Sequence, residues 1–209
     1  MKIENIEYSD KYNLVILTIE GEDFSLSYDF FNDLNVSLDD EIDFDSYKEI
    51  LKENLFNEAK NLALAKISYS QKTSFEITKL LKDKGFDTDA INKTIDFLKS
   101  YRLIDDKAYV KSFVSDKSNI SKWSKNKIRF ALKSKKINDE LIENYLSEIS
   151  DDDEYEKAYA FAVKKAGGNT DYESKQKVYR YLSSKGFEYD IISRVTGEIF
   201  KWHTVMFIY

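Results

Sequence analysis

The chain has 209 residues, 42% of them hydrophobic and 33% charged, a balance that belongs to a folded globular protein rather than a disordered segment. No stretch approaches the ~18 apolar residues of a membrane span, and the start, Met1-Lys2-Ile3-Glu4-Asn5, lacks a basic-then-apolar leader pattern, so a cytoplasmic location is expected. Cysteine is absent, which excludes a disulfide framework and a thiolate metal centre, and proline is absent too, which permits long uninterrupted helices. The net charge of −6 conceals a segregation: residues 1–60 carry 5 Lys/Arg against 16 Asp/Glu, whereas residues 61–150 carry 18 against 12. Such asymmetry predicts a basic surface on an otherwise acidic protein.

The first 30 residues have the composition of strands. Ile3–Tyr8, Leu14–Ile19 and Phe24–Tyr28 are β-branched or aromatic runs separated by Ser9-Asp10-Lys11 and Gly21-Glu22-Asp23, and the short links predict an antiparallel meander. After the acidic stretch Asp39–Asp43 the period changes. Ser46 with Glu49 forms a capping-box pattern, and Leu51, Leu55, Ala59, Leu62 and Ala63 recur at helical spacing, which predicts a linking helix over 46–68.

From residue 70 onward the informative signal is an internal repeat. Leu81-Lys82-Asp83-Lys84-Gly85-Phe86 followed by Ile91 returns as Leu132-Lys133-Ser134-Lys135-Lys136-Ile137 followed by Ile142, and again as Leu182-Ser183-Ser184-Lys185-Gly186-Phe187 followed by Ile192. A glycine just past a helix adopts the left-handed conformation that closes the last carbonyls, and the apolar residue after it folds back on the final turn. Lys136 replaces glycine in the middle unit, so that helix end is expected to be strained or to close differently. Asp87, Asn138 or Asp139, and Asp190 are candidate caps of the following helix, and Asp105-Asp106 opens another. A ~50-residue period with about three helices predicts a mainly α fold: three tandem three-helix repeats in a curved array, preceded by a small β meander and the linking helix. The segments expected are 1–45 (acidic β-rich module), 46–68 (linking helix), 69–116, 117–150 and 151–196 (repeats), and 197–209 (an atypical apolar tail).

Enzyme chemistry finds little to work with. The single histidine, His203, lies in that tail, the six glycines build no phosphate-cradling loop, and the carboxylate pairs are spaced as caps, so neither catalytic group, metal nor cofactor is expected. The basic middle is the sharper feature. Residues 117–136 hold Lys117, Lys122, Lys125, Lys127, Arg129, Lys133, Lys135 and Lys136 without one acid. Lys122, Lys125, Arg129, Lys133 and Lys136 are spaced as one helical stripe, with Ile128, Ala131 and Leu132 free to face inward. Eight unpaired positive charges repel one another, and a polyanion or acidic partner would relieve the repulsion. Trp123 beside the stripe could stack on a base or close the core, and core spacing favours the second.

Several of these segments resemble the RecX family. Thr73-Ser74-Phe75-Glu76-Ile77 with Leu80–Phe86 is similar to its first-repeat pattern, Leu103–Val110 to its Leu-Asp-Asp segment, and Lys127–Ile137 to its Ile-Arg-x-x-Leu-x-x-Lys-Gly-Ile apart from Lys136. The family's first-repeat loop often carries arginines, where this chain has Ser70-Gln71-Lys72, and the tail 201–209 matches no pattern of the family. The resemblance implies a non-enzymatic monomeric regulator that binds the RecA recombinase filament and restrains its growth, ATP hydrolysis, strand exchange and coprotease activity. Candidate contacts to RecA or to DNA are Lys72, Lys122, Lys125, Lys127, Arg129, Lys133, Lys135 and Lys136. A stand-alone nucleic-acid-binding helical protein is the alternative, and the −11 charge of residues 1–60 opposes it.

Overall fold

Alternation along Leu14–Ile19 turns Val15, Leu17 and Ile19 to one side, and in the computed structural model these three side chains are buried. The structure describes residues 1–9 and 13–201; His203 and the tail from residue 202 lie outside the described residues, as do Asp10 and Lys11 of the first expected turn. Strands β1 (Ile3–Ser9), β2 (Leu14–Ile19) and β3 (Glu22–Ser27) form an antiparallel sheet in the order β1-β2-β3, with Tyr8 opposite Val15 and Leu17 opposite Phe24. The third strand stops short of Tyr28 because Ser27 becomes a cap: its Oγ accepts the Phe30 amide and starts a helix the sequence did not betray, α1 (Tyr28–Leu34).

The long helix α2 (Phe44–Ile67) begins two residues before the expected start. Asp43, not Ser46, is the cap, and its carboxylate accepts the Ser46 amide at 2.7 Å, so the Ser46–Glu49 box does not form at this terminus. A carboxylate near the positive end of the helix is the stronger partner.

The chain divides into two compact units, Met1–Asp105 and the part beginning at Asp106. In the first, Ile50 of α2 joins the apolar cluster of the sheet (Ile3, Val15, Leu17, Phe24, Leu26, Phe31). One turn further on, α2 covers the edge of β3 with polar groups. Asn54 Oδ1 accepts the Ser25 amide at 2.7 Å, Asn57 donates to the Ser25 carbonyl at 2.9 Å, and Glu53 accepts the Ser27 hydroxyl at 3.0 Å. Asn57 is completely buried, and its carboxamide replaces the neighbouring strand that β3 lacks. At the opposite edge, Ile3 exchanges backbone hydrogen bonds with the Asp39–Asp40 segment. The last half of α2 then packs Ala59 and Ala63 against α3 (Ser74–Asp83) and α4 (Thr88–Ser100), around Ile77, Leu81, Ile95 and Leu98.

The second unit contains α5 (Asp106–Ser115), a π-helical turn (Asp116–Ile120), α6 (Lys125–Ser134) and α7 (Asp139–Leu146), then α8 (Asp151–Ala166), α9 (Tyr172–Ser184) and α10 (Tyr189–Ile199). Each triplet closes its own apolar cluster, one from Val110 to Ile149 and the other from Ala158 to Phe200. The repeat leucines Leu81, Leu132 and Leu182 are all fully buried, and all three occupy the same backbone device. Their carbonyls accept the amides of Phe86, Ile137 and Phe187 at 3.2–3.3 Å, while the residue before each is left-handed and donates one turn back. Lys136 resolves the sequence's ambiguity: at φ +56° it makes the same closure as Gly85 and Gly186, and so the middle helix end is the strained one. The caps of the following helices are Asp87 and Asn138 as expected, but the third is Glu188, which makes no side-chain capping bond, while Asp190 lies inside α10.

Replacing Lys136 with glycine is expected to raise stability by about 0.5–1 kcal/mol, relief of left-handed strain outweighing the greater freedom of the unfolded chain. Urea denaturation midpoints of the two proteins measure it.

Candidate functional site

Helix α6 is the basic element of the sequence, and Ile128 and Leu132 anchor it with no exposed surface, while Ala131 is half-buried. The helix holds only part of the expected stripe. Lys122 precedes it at φ +53° and Lys136 follows it at φ +56°, so neither continues the helical face. The three stripe residues on the helix itself are not unpaired. Lys125 Nζ meets Asp151 at 2.9 Å, Lys133 Nζ meets Asp139 at 3.1 Å, and Arg129 grips Glu143 with Nε at 2.6 Å and Nη2 at 2.9 Å while also donating to Asn126. The expectation of eight unpaired cations is therefore corrected. The neutralising acids stand 6 to 26 residues further along the chain, and folding brings them back over α6.

The pairing also changes which face is basic. Only 19% of the Lys125 side chain and 27% of the Arg129 side chain is exposed, so these two line a cleft rather than a solvent face. The cleft, of about 290 Å³, places them with Glu143, Asp151, Glu154 and Glu188, and its four carboxylates outnumber its two cations. The Glu143 carboxyl is held below the usual range by the Arg129 fork, and the Arg129 guanidinium is raised in turn. Asp151 is lowered by its hydrogen bond from Lys125.

Glu154 behaves in the opposite way. It is 4% exposed, and burial pushes its carboxyl upward even though Oε1 accepts the Lys125 amide at 2.9 Å. Its other oxygen has no hydrogen-bond partner and lies 3.7 Å from the ammonium of Lys157. Lys157 is itself buried, lowered by that burial, and donates to Ser118 Oγ at 2.6 Å.

Outside the cleft stand the cations that sequence reasoning grouped with the stripe. Lys122 and Lys136 are exposed and make no ion pair among the described residues. Lys127 lies 4.2 Å above the ring of Trp123, over which Lys117 also sits, at 5.1 Å. Trp123 is half-buried against the second unit's apolar cluster, edge-on to Phe113, the role that core spacing favoured. Lys135 lies over Tyr109 at 5.4 Å. Lys72 belongs to the other compact unit, half-buried beside the Thr73 cap of α3. Sequence reasoning missed Phe130, 78% exposed on α6, and the acids opposite the stripe. One signal for those acids was available: four carboxylates, Asp151, Asp152, Asp153 and Glu154, crowd the first turn of α8, while α6 has none. Among the described residues no group of three or more acids or histidines is arranged to hold a metal ion, and no helix is long and apolar enough to cross a membrane.

The chain matches three family models in order: RecX, first three-helix domain, over residues 59–98; RecX, second three-helix domain, over 105–146; and RecX, third three-helix domain, over 151–196. It is 35% identical over 203 residues to a regulatory protein RecX of Finegoldia magna, covering 94% of this chain and 99% of that one. A regulatory protein RecX of Clostridium perfringens is 34% identical over 171 residues, covering 78% and 80%. Among solved structures, a crystal structure of regulatory protein RecX superposes with a TM-score of 0.77 at 23% identity over 93% of this chain and 98% of the other, a likeness of fold. The RecX structure from Lactobacillus salivarius gives 0.64 at 30% identity over 69% and 96%.

The buried Glu154 and the exposed Glu143 make a paired test of this geometry. Carboxyl-detected NMR titration is expected to find Glu154 titrating above free glutamate and Glu143 below it. The Arg129–Glu143 pair therefore stabilises at neutral pH and loses that contribution as pH falls through the lowered value, whereas the cost of burying Glu154 as an anion shrinks as pH falls through the raised one. In Arg129→Gln the Glu143 titration should return to the ordinary range.

Proposed function

This chain belongs to the RecX family, and we propose that it acts as a non-enzymatic regulator of the RecA recombinase, binding the RecA–DNA filament in the cytoplasm and restraining it. The observation that carries this reading is the set of three RecX three-helix domains in their proper order over residues 59–196. The finer content is inhibition: limiting filament growth, and with it ATP hydrolysis, strand exchange and coprotease activity, by a monomer lodged on the filament.

Candidate contacts are Lys72, Lys122, Lys125, Lys127, Arg129, Lys133, Lys135 and Lys136. Their ion pairing divides them by the availability of their charge. Lys122, Lys127 and Lys136 offer positive charge outward, which suits the phosphates of filament-bound DNA or an acidic patch of the recombinase. Lys125, Arg129 and Lys133 offer theirs only after an internal carboxylate lets go. The exposed aromatic ring of Phe130 lies on the same helix as these cations and supports a contact role for it.

The direct test is ATP hydrolysis by RecA on single-stranded DNA, titrated with this protein. The rate is expected to fall at or below one regulator per recombinase, and an unchanged rate at large excess would remove the reading. Affinity for RecA-coated against bare DNA separates a filament regulator from a stand-alone nucleic-acid-binding protein.

Charge contributions are then resolved by two triple variants. Lys122→Gln/Lys127→Gln/Lys136→Gln should weaken filament binding and flatten its salt dependence, each lost phosphate contact removing about 0.7–0.9 from the log–log slope. Lys125→Gln/Arg129→Gln/Lys133→Gln should do so to a smaller extent. Identical salt curves for both variants and the parent would mean a solvated face without a partner.

A further inference from the structure

Helix α6 is the one α-helix among the described residues whose first turn carries no acid; it opens instead with Lys125 and Lys127. The start of a helix holds a partial positive charge and unpaired amides, so two lysines there oppose its dipole. The missing anion comes from the neighbouring triplet. The first turn of α8 supplies Glu154 to the Lys125 amide at 2.9 Å and Asp151 to the Lys125 ammonium at 2.9 Å. One lysine thus presents a backbone amide and a side-chain cation to two carboxylates, the donor set that a phosphate oxygen would take.

A second observation shows that this occupant is held at a cost. Glu154 is buried with one oxygen lacking a hydrogen-bond partner, and the nearest cation, Lys157, is equally buried and 3.7 Å away. A buried pair at that separation recovers its lost hydration poorly. The α5–α7 and α8–α10 triplets each close a separate apolar cluster, and only Leu146 and Ile191 bring apolar surface to the cleft between them among its described lining. Two further polar bonds cross the joint: Ser124 Oγ donates to the Lys185 carbonyl at 2.8 Å, and Lys157 donates to Ser118 Oγ at 2.6 Å. Gly186 completes the joint by close approach, because a Cβ there would stand 2.9 Å from Ser124 Oγ.

We propose that the first turn of α8 is an autoinhibitory cap over a phosphate-binding site at the start of α6, displaced when a nucleic-acid strand takes the Lys125 amide and ammonium and the α8–α10 triplet swings away. The inference rests on the reading that this basic element meets the DNA of a filament. It adds a closed state in which the protein's own carboxylates stand in for the phosphates.

The test uses a fluorescently labelled single-stranded oligonucleotide without recombinase, so that its outcome is independent of any effect on RecA. Asp151→Asn/Glu154→Gln is expected to tighten binding about five-fold or more, within the usual range for coupled equilibria. Asp152→Asn/Glu156→Gln removes the same charge from exposed positions of the same helix that make no contact with Lys125, and is expected to do much less. Because the chain has no cysteine, spin labels at Ser134→Cys and Ser183→Cys report the joint directly, and their separation should lengthen when oligonucleotide is added. Equal affinities for the two acid-to-amide variants, a constant label separation, or no oligonucleotide binding by any variant would each overturn the inference. A failure to slow RecA ATP hydrolysis would instead count against the regulator reading alone.

Discussion

A helix of 10 residues cannot hide its own apolar side, and the repeats of this protein rest on the reversal that lets a second helix do so. Each reversal is made by one left-handed residue after the middle helix, with the buried leucine's carbonyl receiving the amide of the apolar residue beyond. That hydrogen bond and that side chain act together: the leucine fills the core, and its backbone fixes the angle at which the next helix returns. Without it the cap residues that follow, Asp87 and Asn138, would begin helices pointing away from the core.

The three reversals satisfy this constraint for different reasons. In the last, glycine is doubly required, since φ +85° and the Ser124 hydroxyl both exclude a side chain. The middle one carries a lysine, whose Cβ is tolerated sterically while its backbone remains strained. The motif is thus a conformational requirement first, and a glycine requirement only where another element presses against it.

Most of the architecture was legible from residues alone. Strand alternation, the repeat of Leu81, Leu132 and Leu182, and the lysine in place of glycine all report local or periodic constraints, and these are what a sequence displays directly. The failures share a cause. Asp43 displaced Ser46 as a cap because two candidate oxygens stood three residues apart at one helix start, and the spacing of apolar residues does not choose between them. The stripe looked unpaired because Asp139, Glu143 and Asp151 approach through space, over separations that no helical period encodes. Charge density in one window says what a segment carries, and tertiary structure decides how much of it remains available.

The polar seal along β3 has a consequence beyond the stability of the acidic module. An unpaired strand edge is a template on which another chain can add a strand, and from there a sheet can grow between molecules. Asn54 and Asn57 take the Ser25 amide and carbonyl that such an incoming strand would need, and the Asp39–Asp40 segment occupies the same groups of Ile3 at the other side. A three-stranded sheet with six fully or nearly buried apolar side chains would otherwise be the most aggregation-prone part of the chain during synthesis. Because the seal lies on α2, protection arrives only when that helix docks, so the hazard is confined to the interval between translation of β3 and completion of the helix about forty residues later.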